Sequence, residues 1–345
     1  MGLHAEIFEQ PAVLRRFLNN QVKSARQIAA AIQKRNIDYI FLTARGTSDN
    51  AGLYAKYLWG IFNHLPIALA APSTFGVYQQ PPRLNRAAVV GISQSGQSPD
   101  IVGVLEEGKR QGALTIAITN APDSPLANTA DYVLYIDAGE EKAVAATKTY
   151  TAQLMAIAAL SAALSESDEM LETLHHVPTL VEETLVLDSQ IEQVAERYRY
   201  MNQCVVLGRG YNYATAFEWS LKLKELTYIV ANPYSPADFQ HGPIAILEKG
   251  FPVFAVAPQG AVYKDILALL RRLSDIHQAE ILVLSNADEA LRLANTPLRL
   301  PAPMPEWVSP IVSIVPAQLF CYYLTRAKGW NTESPRGLKK VTETR

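Results

Sequence analysis

The 345-residue sequence has little of several features that mark whole classes of protein. Its two cysteines, Cys204 and Cys321, lie in apolar runs, which excludes a disulfide framework and indicates buried thiols in a reducing compartment. Its 31 basic and 33 acidic residues leave a net charge of -2 and no basic stripe, so nucleic acid is not an expected partner. The longest apolar stretch, Leu154 to Leu164, is shorter than the about 20 residues of a membrane span.

The first residues contain no apolar segment of the kind that directs secretion. We therefore expect a cytoplasmic protein without a membrane partner. Hydrophobic residues make up 49% of the chain, which is enough for substantial cores, and the length indicates two domains.

The two halves of the sequence resemble each other. The strand-like run from 38 to 46 matches the run from 202 to 210 at a shift of 164, and the run from 113 to 120 matches 279 to 286 at a shift of 166. Strand-like and helical stretches alternate in both halves, which predicts βαβ units and parallel sheets covered by helices. The expected divisions are an N-terminal helical segment (1–35), a first α/β domain (36–165), a helical connector (166–199), a second α/β domain (200–330) and a C-terminal active-site tail (331–345).

Serines and a glycine follow a β-branched run of the first half, in Ser93-Gln94-Ser95-Gly96-Gln97-Ser98. A helical pattern comes next, so backbone N–H groups and the helix dipole favour an anion at this turn. Gly46-Thr47-Ser48 follows the preceding strand in an equivalent place, and ligands of open α/β sheets bind beyond the carboxyl ends of strands. Each serine alone could equally be a helix cap, but the cluster favours phosphate. The equivalent residues of the second half, 257–262, lack all three serines, so phosphate binding is predicted in the first half only.

A second cluster combines Lys222, Glu225 and His241. Lys222 and Glu225 are three residues apart in a helical pattern and therefore share one face, although such a pair is usually a solvated ion pair. A loop with two prolines, Asn232 to Ala237, leads to His241 before Gly-Pro. Together with a nearby carboxylate, this histidine fits acid–base chemistry. The basic tail Pro335 to Lys340 contains a Pro-Arg-Gly turn signal.

These segments together resemble the sugar isomerase (SIS) family. The resemblance extends over nearly the whole chain, and it is strongest to the isomerase half of glucosamine-6-phosphate synthases and to SIS-type glucosamine-6-phosphate deaminases. It implies two tandem SIS domains, each a flavodoxin-like, three-layer αβα fold. The segments that carry it are Gly46-Thr47-Ser48, Ser93 to Ser98, Val144 to Lys148, Lys222 to Glu225, His241-Gly242-Pro243 and Pro335 to Lys340.

The resemblance also implies roles for individual residues. Glu225 moves a proton between C1 and C2, and Lys222 supports the charge of the intermediate. His241 assists ring opening from the neighbouring subunit of a homodimer with a shared active site, and Lys340 forms a Schiff base with the ketose. Val144 touches the sugar. The 6-phosphate of a hexose or hexosamine is held by Thr47, Ser48, Ser93, Gln94, Ser95 and Ser98.

The expected function is a hexosamine-6-phosphate deaminase and isomerase that uses neither a metal nor another cofactor. A glutaminase domain, which the synthases carry, does not precede Met1 in this sequence, so synthesis from glutamine is not expected. Two alternatives remain open: a plain aldose–ketose isomerase or deglycase with the same residues, and a sugar-phosphate sensor without catalysis. Gly208-Arg209-Gly210 also suggests a nucleotide-binding oxidoreductase, but Tyr213 replaces the third glycine of that motif.

Overall fold

The computed structural model describes residues 2–340 and divides into two compact units. The N-terminal unit comprises residues 9–142, 146–178 and the described end of the tail from 339. The C-terminal unit comprises residues 2–8, 143–145 and 179–338. The last five residues of the predicted tail, 341–345, lie outside the described residues.

Strands and helices alternate along both halves of the chain. Through residue 199 the elements are α1 (Leu3–Phe8), α2 (Gln10–Lys34), β1 (Tyr39–Thr43), α3 (Thr47–Phe62), β2 (Ile67–Leu69), α4 (Ser73–Gly76), β3 (Ala87–Ser93), α5 (Pro99–Arg110), β4 (Leu114–Thr119), α6 (Pro125–Thr129), β5 (Tyr132–Tyr135), α7 (Lys148–Leu164), α8 (Asp168–Leu185) and α9 (Asp188–Arg197). From residue 200 they are β6 (Gln203–Leu207), α10 (Tyr213–Thr227), β7 (Val230–Tyr234), α11 (Pro236–Gln240), β8 (Pro252–Val256), α12 (Tyr263–Asp275), β9 (Glu280–Ser285), α13 (Asp288–Arg292), β10 (Thr296–Arg299) and α14 (Ser309–Ala327).

The N-terminal unit contains a parallel five-stranded sheet in the order β2-β1-β3-β4-β5. Helices cover both faces of such a sheet, so its central strands are continuous apolar runs rather than alternating ones. All seven residues of β3 are buried, and each large aliphatic side chain buried in this way contributes about 1.5–3 kcal/mol. This is the flavodoxin-like order, in which the chain reverses direction across the sheet between β1 and β3. Ligands of such sheets bind beyond the strand ends at that point.

The C-terminal unit repeats this topology in the order β7-β6-β8-β9-β10, again with every pair parallel. Strands β1 and β6 begin at residues 39 and 203, and β4 and β9 at residues 114 and 280. These offsets confirm the sequence repeat and the expected fold of two parallel sheets flanked by helices.

The prediction of a loop from Asn232 to Ala237 is wrong. Residues 230–234 form β7, and residues 236–240 form the short helix α11. Proline has no N–H to donate, and it is tolerated in a strand at the edge of a sheet, where one side of the backbone has no neighbour. Among the described residues β7 pairs with β6 alone, so it is such an edge, and this explains how Pro233 lies within it.

Two long apolar helices form parts of the cores. Fifteen of the seventeen residues of α7 are buried. Among the described residues, the stretch Glu306–Ala327, which contains α14, is long and apolar enough to span a membrane, but 94% of its most apolar window is buried inside the protein. It therefore has the burial of a core helix, and it is longer than the apolar stretch found by sequence inspection. Cys321 in α14 and Cys204 in β6 are both buried free thiols, as expected, and burial raises the pKa of each.

Candidate functional site

The serine loop of the N-terminal unit lies between β3 and α5 and is shaped by Gly96. This glycine has φ +62°, and a Cβ atom there would lie 2.0 Å from Ser124 Oγ, so a larger residue does not fit. Ser93 Oγ accepts the N–H of Gly96 at 3.1 Å, and Ser95 Oγ accepts the N–H of Gln97 at 3.3 Å. A hydroxyl that accepts from the backbone keeps its own proton for donation. The loop thus presents hydroxyl donors at the start of a helix.

Ser98 lies at the N-cap of α5 with extended backbone angles, and Pro99 follows it. Within residues 2–340, the Ser98 side chain makes no capping hydrogen bond, so its hydroxyl does not serve as a helix cap. The positive end of the α5 dipole favours an anion at this position. Gln94, which is half-buried, fixes the other side of the loop, because its carbonyl accepts the N–H of Asn120 at 3.1 Å.

The loop after β1 ends at a neighbouring position of the same sheet. Gly46, with φ +54°, is the N-cap of α3, and Thr47 and Ser48 are the first two residues of that helix. Ser48 is buried, and its Oγ lies 2.9 Å from Gln153 Nε2, which donates to it.

An ion pair joins the two loops. Arg45 Nε lies 2.8 Å from Asp100 Oδ2 in the first turn of α5. Since Arg45 follows β1 and Asp100 follows the serine loop, this contact holds the hydroxyl groups of both loops at one edge of the sheet. Burial raises the pKa of the nearby Asp49 carboxyl, although the Arg45 charge opposes this shift.

Glu141 is a buried carboxylate that sequence analysis missed. It accepts the N–H of Thr147 at 2.9 Å, the N–H of Thr149 at 3.1 Å and the Thr149 hydroxyl at 2.8 Å. The Lys340 ammonium lies 2.6 Å from Glu141 Oε2, the oxygen that also accepts the Thr149 hydroxyl, and a quarter of the Lys340 side chain is exposed. In the sequence Gly-Glu-Glu-Lys, Glu141 resembles a solvated loop charge, and no local pattern indicates a partner 199 residues away.

Val144 belongs to the short segment 143–145 of the C-terminal unit and is half-buried. Its neighbour Ala143 donates its N–H to the buried carboxylate of Glu6 at 3.2 Å. Helix α1 therefore fixes the backbone next to Val144, which we expect to touch the sugar.

Helix α10 of the C-terminal unit carries a buried charge cluster. Lys222 Nζ lies 2.5 Å from Glu225 Oε2 and 3.3 Å from Glu218 Oε1. The side chains of Lys222 and Glu218 are 2% and 0% exposed, whereas that of Glu225 is 23% exposed. Burial disfavours the Lys222 ammonium, but the two carboxylates outweigh burial and raise the pKa of Lys222. The cluster therefore holds a charged lysine inside the protein and presents one carboxylate to solvent.

The predicted pair is thus a buried group of three rather than a solvated pair. Glu218 precedes Lys222 by four residues, a spacing that places both on one helix face. This signal was available in the sequence, but spacing does not reveal burial.

His241 follows α11 and is exposed. Its backbone N–H donates to Asp238 O at 3.1 Å. Gly242, with φ +136°, then turns the chain into the short 3₁₀ helix Pro243–Ile246. Ile246, at the end of that 3₁₀ helix, is also exposed.

The loop of the second repeat contains its own anion. Glu306 Oε2 accepts the N–H of Ala261 at 2.6 Å, and a Cβ atom on Gly260 would lie 2.2 Å from the same oxygen. The start of α12 is therefore occupied by an internal carboxylate at the position equivalent to the serine loop. A carboxylate at this position disfavours a second anion there, and phosphate binding in the first half only stays a prediction.

The candidate residues are distributed over the two units as follows. The N-terminal unit contains Thr47, Ser48, Ser93, Gln94, Ser95, Ser98 and Lys340, and the C-terminal unit contains Val144, Lys222, Glu225 and His241.

The chain is similar to known proteins over most of its length. The family model of the SIS domain matches the chain twice, at residues 34–163 and 198–327. The chain is 36% identical to glutamine–fructose-6-phosphate aminotransferase (isomerizing) of Aquifex aeolicus over 97% of its own length and 56% of that protein. It therefore spans little more than half of the curated relatives it matches.

Solved structures show the same fold. The C-terminal domain of glucosamine-fructose-6-phosphate aminotransferase from Francisella tularensis has a TM-score of 0.87 at 28% identity, covering 96% of this chain and 98% of that one. A glucosamine-6-phosphate deaminase from Thermotoga maritima has a TM-score of 0.78 at 21% identity, covering 99% of both chains.

Proposed function

Because the chain belongs to the SIS domain family, we propose that it is a phosphosugar isomerase that moves a proton between C1 and C2 of a hexose or hexosamine 6-phosphate. The observation that carries the proposal is the cluster on α10, in which a buried ammonium holds a partly exposed carboxylate, Glu225. Such a carboxylate can remove a proton from a carbon next to a carbonyl or imine and return it to the adjacent carbon.

In this proposal the phosphate is bound by hydroxyl groups of the N-terminal unit. Ser48, Ser93 and Ser95 each accept a hydrogen bond from an amide and so have a proton to donate. Thr47, Ser98 and the start of α5 add to this binding surface. A hydrogen bond to a charged group is worth about 1.5–3 kcal/mol, so several of them give an anchor that positions the reacting carbons.

The proton transfer is assigned to Glu225. Its carboxylate takes the proton from C2 of the open-chain aldose, which leaves an enediolate or, for an amino sugar, the corresponding enolamine anion, with the negative charge on O1. The same group then returns the proton to C1, while a proton moves from the C2 hydroxyl or amine to O1. The Lys222 ammonium, held beside it, balances the negative charge that forms in this step.

Two further roles complete the proposal. His241 transfers a proton during ring opening, and we extend this to a homodimer in which the histidine serves the active site of the partner subunit. Lys340 leaves its ion pair with Glu141, loses a proton and attacks the C2 carbonyl carbon of the ketose. A C–N bond forms, the carbonyl oxygen leaves as water, and an imine results. Val144 contacts the sugar.

The finer form of the proposal is deamination of glucosamine 6-phosphate. Proton transfer from C2 to C1 converts the C2 amine to an imine, and water then replaces the nitrogen to give fructose 6-phosphate and ammonia. The relatives named glutamine–fructose-6-phosphate aminotransferase (isomerizing) support this form of the proposal. Their name describes transfer of nitrogen to fructose 6-phosphate with isomerisation, and the reverse of that reaction on the sugar releases the nitrogen.

The test measures ammonia released from glucosamine 6-phosphate by the purified protein. We expect steady release with the wild type and a loss of about 10²–10⁴-fold in Glu225→Gln, which retains the shape of the side chain but not its basicity. Fructose 6-phosphate should still bind this variant. Glu248→Gln, which changes an exposed glutamate of the same unit, is the matched control and should be as active as the wild type.

Two results would contradict these assignments. Interconversion of other sugar phosphates without ammonia would leave a plain isomerase and exclude the deaminase. Unchanged turnover in Glu225→Gln would exclude the base. Mixing inactive Glu225→Gln and His241→Ala chains should restore part of the activity if each active site takes residues from two subunits.

A further inference from the structure

The tail that follows α14 is held against the end of the helix that carries Lys222 and Glu225. The Arg336 N–H donates to Tyr228 Oη at 2.9 Å, and the Arg336 guanidinium carbon lies 3.7 Å from the centre of the Tyr228 ring. The Trp330 ring lies 4.6 Å from the Tyr228 ring, centre to centre. We call Tyr228, Trp330 and Arg336 the tail clamp; all three belong to the C-terminal unit.

Tyr228 stands at an unusual position for a tyrosine. It directly follows the last residue of α10 and has φ +57° and ψ 22°, in the left-handed region. Glycine or asparagine is the usual residue at such a helix end, because a Cβ atom is disfavoured there. The contacts of the Tyr228 side chain with the tail therefore offset a backbone conformation that its own Cβ opposes.

The clamp combines two kinds of interaction. The positive guanidinium is attracted by the electron-rich face of the aromatic ring, and the planar group stacks well on it. The hydrogen bond to Tyr228 Oη comes instead from the backbone of Arg336, so it fixes the course of the chain whatever the arginine side chain does.

A second contact fixes the tail further upstream. Both Glu333 carboxylate oxygens lie 3.1 Å from the Leu3 N–H at the start of α1. Pro335, between Glu333 and Arg336, is buried, and the chain then turns at Gly337 with φ +70°. The tail is thus held at two points before it reaches Lys340.

Lys340 follows Arg336 by four residues. Four extended residues span at most about 14 Å, so the clamp limits the volume that the Lys340 ammonium can occupy. A reactive group confined to a smaller volume has a higher effective concentration at its target, and release of the anchor lowers it.

We propose that Tyr228 is a positioning residue, which holds the tail through Arg336 and Trp330 so that Lys340 is delivered to the C2 carbonyl of the sugar phosphate. This inference rests on the proposed role of Lys340 as the Schiff-base lysine. It adds that the rate of imine formation depends on an aromatic side chain at the end of α10.

The test uses fructose 6-phosphate and borohydride, which reduces the imine to a stable amine that mass spectrometry locates on Lys340. We expect the trapping rate to fall about tenfold or more in Tyr228→Leu, which removes both the ring and the hydroxyl. Tyr228→Phe keeps the ring and should lie between Tyr228→Leu and the wild type. The matched control is Tyr200→Leu, since Tyr200 is a 60% exposed tyrosine of the same unit, and it should trap at the wild-type rate.

Two further measurements separate positioning from general damage. The dissociation constant of fructose 6-phosphate should stay within about twofold of the wild-type value in Tyr228→Leu, because the phosphate anchor is unchanged. Hydrogen exchange of residues 331–338, which involves no chemistry on a sugar, should become faster in Tyr228→Leu and stay unchanged in Tyr200→Leu.

Wild-type trapping or unchanged tail exchange in Tyr228→Leu would overturn the inference. Absence of an adduct on Lys340 in the wild type would instead overturn the role given to Lys340 in the proposed function. Tail exchange would still decide in that case whether Tyr228 holds the tail.

Discussion

Replacement of Lys222 by methionine should destabilise the C-terminal unit strongly. Methionine keeps the apolar stem but removes the ammonium that lies 2.5 Å from Glu225 and 3.3 Å from the fully buried side chain of Glu218. Removing one partner of a buried ion pair costs about 3–5 kcal/mol, because the remaining charge loses its compensation inside the protein. We expect this loss in the free energy of unfolding of Lys222→Met.

Thermal and urea unfolding, followed by circular dichroism, measure this loss. At about 2–4 °C per kcal/mol for a unit of this size, the melting temperature should fall by about 6–20 °C. Lys224→Met is the matched control, because Lys224 is an exposed lysine on the same helix and its replacement should change the stability by no more than about 0.5 kcal/mol.

A double variant tests the physical cause. In Glu218→Gln/Lys222→Met both buried charges are absent, so the double variant should be more stable than the sum of the single changes predicts by about 1–3 kcal/mol. Additive effects, or a loss below about 1 kcal/mol in Lys222→Met, would refute the buried-charge account.

The stabilisation contributed by Lys222 should also depend on pH. The pKa of Lys222 is raised above its ordinary value of 10.5 in the folded protein. The charged lysine therefore contributes its full stabilisation below about pH 10.5, and this contribution is lost as the pH rises through the higher folded value. The difference between wild type and Lys222→Met should be constant from about pH 6 to 9 and should shrink in stronger alkali.

Two predictions concern the N-terminal unit. Burial raises the pKa of Asp49 above 3.8, so the folded protein holds this proton more tightly than the unfolded chain does. Stability is therefore lost as the pH rises from 3.8 through the folded pKa, and Asp49→Asn, which stays neutral, should gain stability relative to wild type over this rise in urea titrations. In Gly96→Ala, the affinity for fructose 6-phosphate measured by calorimetry should fall by at least about tenfold, since the Cβ atom would lie 2.0 Å from Ser124 Oγ at φ +62°. The control Gly103→Ala should bind normally, because Gly103 lies in helix α5 with open space around it. Equal binding by both variants would contradict the assignment of the phosphate to this loop.

Much of the architecture could be predicted from local patterns. Alternating strand-like and helical runs located β1, β3 and β4 in the first half and β6 and β9 in the second, because period and residue type reflect burial on a sheet or a helix. Glycines at 46 and 96 indicated turns, and both adopt positive φ. The three-residue spacing of Lys222 and Glu225 correctly predicted contact on one helix face.

Other features depend on the position of an element within the fold. The run from 232 to 234 has the composition of a loop, but it forms part of strand β7. The strand tolerates Pro233 because it lies at the edge of the sheet, where a residue without an N–H leaves no neighbouring strand unpaired. No local pattern predicts the contact between Tyr228, at the end of α10, and Arg336, because the two residues are 108 positions apart in the sequence.

The amino-acid sequence alone determined the repeat, the order of strands and helices, and the residue types available for phosphate and proton chemistry, since all of these follow from short-range periodicity and turn preferences. Tertiary structure alone decided which charges are buried and which distant residues meet. Glu218 is fully buried beside Lys222, and Glu141 lies against Lys340 across 199 residues of sequence, because burial and long-range pairing arise only when separate elements pack together.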